Sequence, residues 1–209
     1  MLIAIEGLDY TGKSTLAKRL ADSLSERYTV HSFRSPGGSE EANLTEELRS
    51  YCLTDTTTTL GRLMSASLSR HLVSEHIASL GSASENMCIV DRWVRSGYAY
   101  QVAGEGSDKD VFSYVNREVT EPDLEFLLTL SPHAYEDRKR AMNSNGEPMD
   151  TDPMEVALNG DDFLGRVKKG MYAFDGYRTT ATVVIDTTDK SIDQVHKEMM
   201  RQVGVYLNF

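Results

Sequence analysis

The residues best suited to chemistry in this 209-residue chain are Gly7-Leu8-Asp9-Tyr10-Thr11-Gly12-Lys13-Ser14-Thr15, which fit the pattern G-x-x-x-x-G-K-[ST]. In that pattern two glycines let the backbone fold into a concavity of N–H donors, and a following helix N-terminus adds partial positive charge. Gly7 and Gly12 take the first role. Lys13 reaches terminal phosphates and Ser14 ligates Mg²⁺, so the stretch from Gly7 to Thr15 predicts binding of ATP·Mg²⁺. Asp9 is an odd charge to find inside a phosphate cradle, and its partner is expected outside the ATP phosphates.

Other charged residues stand where an open α/β sheet binds ligands. Met87-Cys88-Ile89-Val90-Asp91 is an apolar run ending in a carboxylate, the pattern of a central parallel strand that delivers an acid to the ligand edge. Arg92 follows at once, and Arg34 similarly follows the alternating run Tyr28 to Phe33. Both arginines are expected to face the phosphate loop. Leu63, Ala66, Arg70, Val73 and Ile77 step by three and four along one helical stripe, which puts Arg70 on an apolar or small-residue face. A cation there requires a partner.

The elements that must position these residues alternate along the chain. The strand Leu2-Ile3-Ala4-Ile5 leads into the loop, and Leu16, Leu20 and Leu24 mark a helix that fades by Glu26. After the second strand, the breakers of Arg34-Ser35-Pro36-Gly37-Gly38-Ser39 precede a helix to about Leu53. Asp55 and the Thr56 to Thr59 run read as a break and N-cap for a long helix to about Leu80, ended by Gly81 to Ser84. The third strand is followed by a helix carrying Ser96 to Gln101, a break from Gly104 to Asp108 and a helix to about Val119. A fourth strand spans Leu124 to Leu130, and a helix runs from Pro132 through Arg140. Asn143 to Pro153 is polar and rich in breakers. A helix from about Met154 to Asp175, a strand from Thr182 to Asp186, the loop Thr187-Thr188-Asp189-Lys190 and a helix from Ile192 complete the chain. Such alternation predicts an α/β fold with a parallel sheet and helices on both faces, in a single domain spanning 1–209.

Composition limits what this domain meets. A formal charge of -10 and a pI near 5.0 argue against a nucleic-acid polymer, whose phosphates need a basic face. Small phosphorylated metabolites need only a few converging cations. Cys52 and Cys88 have no metal-ligand spacing and are expected as free thiols. The start MLIAIEG runs straight into a strand, and no apolar run approaches the ~18 residues of a membrane span. These features lead to the expectation of a soluble, cytoplasmic protein with no membrane partner.

Taken together, the motifs resemble the thymidylate kinase family of P-loop nucleoside monophosphate kinases over nearly the whole chain. The resemblance rests on the phosphate loop with Ser14-Thr15, the Arg34-x-Pro36-Gly37-Gly38-Ser39 loop, Leu48-Arg49, Met64 to Arg70, Asp91-Arg92 with Ser96 and Ala99-Tyr100-Gln101, and Pro122-Asp123-Leu124. It implies a P-loop NTPase fold with a five-stranded sheet, a mobile lid at about 138–155, a homodimer, and transfer of the ATP γ-phosphate to dTMP with Mg²⁺. It also implies roles for single residues. Lys13, Asp9, Arg92 and Arg138 would act in catalysis, with Arg92 bridging the two phosphates and Arg138 and Arg140 belonging to the lid. Arg34, Pro36, Arg70, Ser96, Gly97, Tyr100 and Gln101 would form the monophosphate site with Asp9 and Arg92, Asp9 meeting the 3′-hydroxyl and Arg70 the base. Thr187 and Asp189 would border the adenine, and Asp91 would hold Mg²⁺ beside Ser14. A phosphate acceptor, whose second pKa lies near 6, needs no general base at neutral pH.

Several positions depart from the family pattern. Tyr10 replaces an arginine of the phosphate loop in one family type, and Met142 stands where the other type has a lid arginine. Arg95 and Lys139 are candidates to supply the missing charge. Ser35 replaces a common glutamate, and Ala66 replaces an aromatic that would stack on the base, unless Tyr98 or Trp93 fills that space. The acceptor could therefore be dTMP, a related deoxypyrimidine monophosphate, or a broader set of bases. A deoxynucleoside kinase using Asp91 as base and a P-loop ATPase module remain alternatives.

Overall fold

The first strand, β1 (Leu2–Gly7), is buried along its whole length, and the period of two along a strand divides it between two cores. Ile3 and Ile5 face one core, and Leu2 and Ala4 the other. In the computed structural model, residues 1–38, 45–54, 57–81, 85–144 and 162–207 are described. Strands β2 (Thr29–Arg34), β3 (Asn86–Asp91), β4 (Leu124–Thr129) and β5 (Ala181–Asp186) join β1 in the order β2-β3-β1-β4-β5, all parallel. The register sets Ile5 level with Asp91, and Asp91 level with Arg34. The carboxyl ends of β2, β3 and β1 therefore open together on one edge.

Helices cover both faces. Against Ile3 and Ile5 lie α1 (Lys13–Leu24), through Leu16, Leu20 and Leu24, and α8 (Ile192–Leu207), through Val195, Met199 and Val203. On the other face lie α3 (Thr59–Ser79), α5 (Lys109–Asn116) and α7 (Phe163–Ala173), which contribute Leu63, Val73, Phe112, Phe163, Val167 and Met171. The side chain of Thr58 caps α3 by accepting from Gly61 N at 3.1 Å, and Asp108 caps α5 by accepting from Asp110 N and Val111 N. Helix α2 (Thr45–Cys52) precedes α3. The five-stranded α/β sheet with helices on both faces is as the sequence predicts.

Three boundaries differ from expectation. The helix expected across Ser96 to Gln101 is two pieces, a short α4 (Val94–Gly97) and a π-helical stretch from Tyr98 to Gly104, where Glu105 N donates to Tyr100 O at 2.9 Å. Helix α5 stops at Asn116, short of Val119. Helix α6 (Pro132–Ser144) runs past Arg140 and through Asn143, so the breaker-rich segment does not begin where its composition changes. Residues 145–161, which hold most of the expected lid and the start of the helix placed from Met154, lie outside the described residues, as do Ser39, Asp55, Thr56 and Ser82 to Ser84.

The second face also buries charge. Glu125 on β4 is wholly buried and accepts from Arg95 Nε at 2.9 Å, Arg95 Nη2 at 2.7 Å and Thr182 Oγ1 at 2.8 Å. Arg95 Nη1 donates to the carbonyls of Met171 at 2.7 Å and Phe174 at 3.3 Å. Arg95, a candidate to supply charge at the reaction centre, is thus turned into the protein and fastens α4 to β4 and α7. Breaking a buried pair on one side strands the other charge, at a cost of about 3–5 kcal/mol. Urea denaturation of Glu125→Leu should show a loss of that order, whereas a loss below about 1 kcal/mol would mean that the pair is not holding these elements together.

Candidate active site

The donor half of the site grows directly out of β1. Gly7 has φ +144, and a Cβ there would lie 2.4 Å from Leu128 O, so the approach of β4 leaves room only for glycine. Tyr10 takes φ +65, a left-handed conformation rare outside glycine that concentrates at functional turns. The Lys13 ammonium is held by Leu8 O at 2.7 Å and lies 3.5 Å from Asp9 Oδ1, while Thr11 Oγ1 donates to the same Leu8 carbonyl. Burial and the nearby Arg92 depress the Lys13 pKa, against the pull of Asp9, Asp91 and Glu6. A carbonyl is a weaker partner for this ammonium than a phosphate oxygen. The Ser14 hydroxyl donates to Asp91 Oδ2 at 2.5 Å. Asp91 Oδ1 is buried with no hydrogen-bond partner among the described residues. Thr15, next on α1, is exposed.

Arg138, expected in catalysis and at the ATP side, reaches from α6 to the phosphate loop. Its guanidinium donates to Tyr10 O at 3.0 Å, Thr187 Oγ1 at 3.1 Å, Thr188 O at 3.4 Å and Thr187 O. It therefore ties α6 to the phosphate loop and to the loop after β5. Thr187 is buried there, its hydroxyl also donating to Thr129 O, and Asp189 is exposed beside it. Arg140 is exposed and pairs with Asp137, and Lys139 lies against the Tyr135 ring, so neither lines the acceptor cleft.

One cleft joins the phosphate loop to the rest of the expected site. Asp9, Lys13, Ser14, Asp91 and Arg92 line one end, and Arg34 and Pro36 enter from the loop after β2. Arg70, Ser96, Gly97, Tyr100 and Gln101 form the opposite wall. Arg92 has φ +66, and its guanidinium bonds Asp9, Gly7 O at 3.3 Å and Ser96 Oγ at 3.4 Å, with the Tyr100 ring 5.0 Å away. Burial opposes its charge, but Tyr100, Asp9, Asp91 and Glu6 hold its pKa well above the arginine norm. The loop after β2 is fixed by the Arg34–Gly38 backbone pair, by Gly37 N on Ser69 Oγ and by Arg49 Nη1 on Pro36 O at 2.9 Å.

Arg70 sits on the stripe that its spacing predicts, and its partners are side chains. Its Nε donates to Asn116 Oδ1 at 2.7 Å, and its Nη2 to Ser67 Oγ at 3.1 Å and Gln101 Oε1 at 3.3 Å. Burial lowers its pKa to about 10, which leaves it charged at neutral pH. A Cβ on Gly97 would lie 2.6 Å from Arg70 Nη1, so that glycine makes room for the guanidinium.

Residues that the sequence reading missed close the far end. Arg62 and Glu105 form a buried pair at 3.1 Å, and Arg62 also donates to the carbonyls of Cys52, Thr54 and Thr57. The signal was present in the helix period, because Arg62, Ala66 and Arg70 follow at steps of four. Ala66 itself is 2% exposed and is not part of the cleft wall. Trp93, wholly buried with Nε1 on Thr120 O, lines the cleft, whereas Tyr98 packs between Phe112 and Phe174 away from it.

A phosphate loop sharing one cleft with arginines from strand ends and helix faces narrows the choice of family. The thymidylate kinase family model matches residues 5–199. The chain belongs to the thymidylate kinase family. It is 30% identical to the thymidylate kinase of Chlorobaculum tepidum, over 97% of this chain and 96% of that protein. It is 29% identical to that of Prosthecochloris aestuarii, over 97% and 92%. The fold superposes on the crystal structure of thymidylate kinase from Ehrlichia chaffeensis with a TM-score of 0.72 at 25% identity, covering 97% of this chain and 98% of that one. This kinase is thus a nucleoside monophosphate kinase with ATP as donor. Gly97→Ala should displace Arg70 and raise KM for the acceptor about ten-fold, with KM for ATP unchanged, the loss expected for a misplaced charged donor. Steady-state kinetics with each substrate varied would measure it, and an unchanged acceptor KM would count against the placement of Arg70.

Proposed function

We propose that the kinase transfers the γ-phosphate of ATP to dTMP, with each half of the cleft serving one nucleotide. The carrying observation is Arg92, which touches the phosphate loop at Gly7 O and the acceptor wall at Ser96 and Tyr100 at once. A cation placed there meets charge on both sides of a transferred phosphoryl group. Lys13 exchanges its carbonyl partner for the donor phosphates, and the N–H groups from Gly7 to Thr15 cradle them. Arg34 attracts the acceptor phosphate, and Asp9, held by Arg92 and Lys13, accepts from the sugar hydroxyl. Tyr100 packs under the sugar, while Arg70 with Gln101 takes the base. Arg138, Thr187 and Asp189 frame the adenine side, with Arg138 ordering Tyr10 and the loop after β5.

Ser14 and Asp91 suit a magnesium site. Among the described residues no group of three or more His, Cys, Asp or Glu could hold a metal. Mg²⁺ needs few protein ligands when nucleotide phosphates and waters complete its shell. The orphaned Asp91 Oδ1, next to the Ser14 hydroxyl, offers an acceptor for one of those waters. When bound, the ion neutralises charge on the donor phosphates.

A phosphorylated acceptor accounts for the arginines better than a neutral nucleoside does, since Arg34 and Arg92 converge on the phosphate end. No described helix is long and apolar enough to cross a membrane. Leu60, Met64 and Leu68 lie exposed at steps of four on α3, beside exposed Val111 and Tyr114 on α5, and this stripe supports a homodimer through α3. Sedimentation should therefore show a dimer that Met64→Asp converts to monomer, and a monomeric parent protein would remove the proposal. ADP release measured with dTMP, dUMP, other monophosphates and thymidine should be fastest with dTMP. Arg92→Ala should lower kcat by about a hundred-fold or more while KM for ATP stays within about three-fold, whereas unchanged turnover would exclude the bridging role.

A further inference from the structure

Glu6 is the last side chain before the phosphate loop, and it is wholly buried on the face of β1 that carries Leu2 and Ala4. It does not itself line the cleft. Its Oε1 accepts from Trp93 N at 2.9 Å and Ser96 N at 3.0 Å, and its Oε2 accepts from the Ser96 hydroxyl. These are the backbone donors at the start of α4, whose own N-cap residue, Trp93, supplies no side-chain cap. A carboxylate from another strand takes that place.

The residue just before this cap is Arg92. Its backbone N donates to Ile5 O at 3.0 Å, and the next backbone N, that of Trp93, donates to Glu6. Two successive residues of β1 thus bracket a left-handed residue whose conformation costs on the order of 1 kcal/mol unless its surroundings impose it. Ser96 extends the link, since its hydroxyl donates to Glu6 and accepts from Arg92 Nη1 at 3.4 Å.

We propose that Glu6 is a positioning residue for phosphoryl transfer, one that fixes Arg92 against the phosphate loop through the backbone of Trp93 and Ser96. Donor cradle and bridging cation are then set by consecutive residues of one strand, Glu6 and Gly7. The work is done by acceptor geometry rather than by charge. Burial and the nearby Glu125 push the Glu6 pKa up, partly offset by the bonds from Ser96 and Trp93. With or without a proton, Oε1 accepts from both amides, as the amide oxygen of glutamine would.

Three variants assayed for ADP release with ATP and dTMP test the proposal. Glu6→Gln keeps the reach and the acceptor and should keep kcat within about three-fold of the parent. Glu6→Asp keeps the charge but is one methylene short of the two amides, and should lose at least about ten-fold in kcat, the scale of an ångström of misplacement. KM for ATP should change less than about two-fold in both. An ordering with aspartate equal to or better than glutamine, or a loss confined to KM for ATP, would overturn the role. The inference rests on Arg92 as the bridge, and Arg92→Ala serves as the third variant. Full turnover there sinks the bridge itself, while low turnover there with parental kcat in Glu6→Asp sinks the positioning role alone.

Discussion

Ile5, Asp91 and Arg34 lie level across three adjacent parallel strands, and the site depends on that register. It brings the phosphate loop, the acid-arginine pair after β3 and the arginine loop after β2 to one edge, where side-chain bonds such as Ser14 to Asp91 and Arg92 to Asp9 then join them. A slip of one residue in β3 would turn every side chain of that strand to the opposite face and bury Asp91 in the wrong core. The two apolar cores guard against it, because Ile3 and Ile5 must meet α1 and α8 while Leu2 and Ala4 must meet α3.

Onto that frame the protein gathers positive charge despite its net charge of -10. Arg34, Arg70, Arg92 and Lys13 converge on a single cleft, and each buried one has an acceptor waiting. The acids sort by task. Glu125 neutralises the structural cation Arg95, Asp9 meets Arg92 and Lys13 within the cleft, and Asp91 keeps one oxygen uncommitted beside Ser14. A buried polar network of this kind confers little net stability, but it makes positions unique, because alternative arrangements leave a charge unpaired.

Much of the fold was legible because buried parallel strands read as apolar runs, and helices such as α1 and α3 carry a stripe at steps of three and four. The phosphate loop, Asp91, Arg92 and Arg70 were legible because motif or period fixes their direction. Glu6 and Glu125 were not. A carboxylate in a strand looks like ordinary alternation, and its partners, Trp93 and Arg95, are remote in sequence. Arg95 shows the converse error, since nearness to Arg92 in sequence says nothing of direction once a short helix intervenes. The individual contacts of Arg138 were not legible either, because only the tertiary fold brings the phosphate loop and the loop after β5 together around it.

The π-helical stretch from Tyr98 to Gly104 left no mark in composition, yet the far wall of the cleft hangs on it. Its wider turn lets the adjacent residues Tyr100 and Gln101 both line the cleft, while Gly104 meets Phe163 so closely that a Cβ would lie 2.6 Å from the ring. Loss of one residue here would shorten an i→i+5 turn, such as the one closed by Glu105 N on Tyr100 O, to the i→i+4 turn of an α-helix, and change which side chains reach the cleft. Residue count is therefore as much a part of the acceptor site as residue type, and this segment should tolerate many replacements before it tolerates a single deletion.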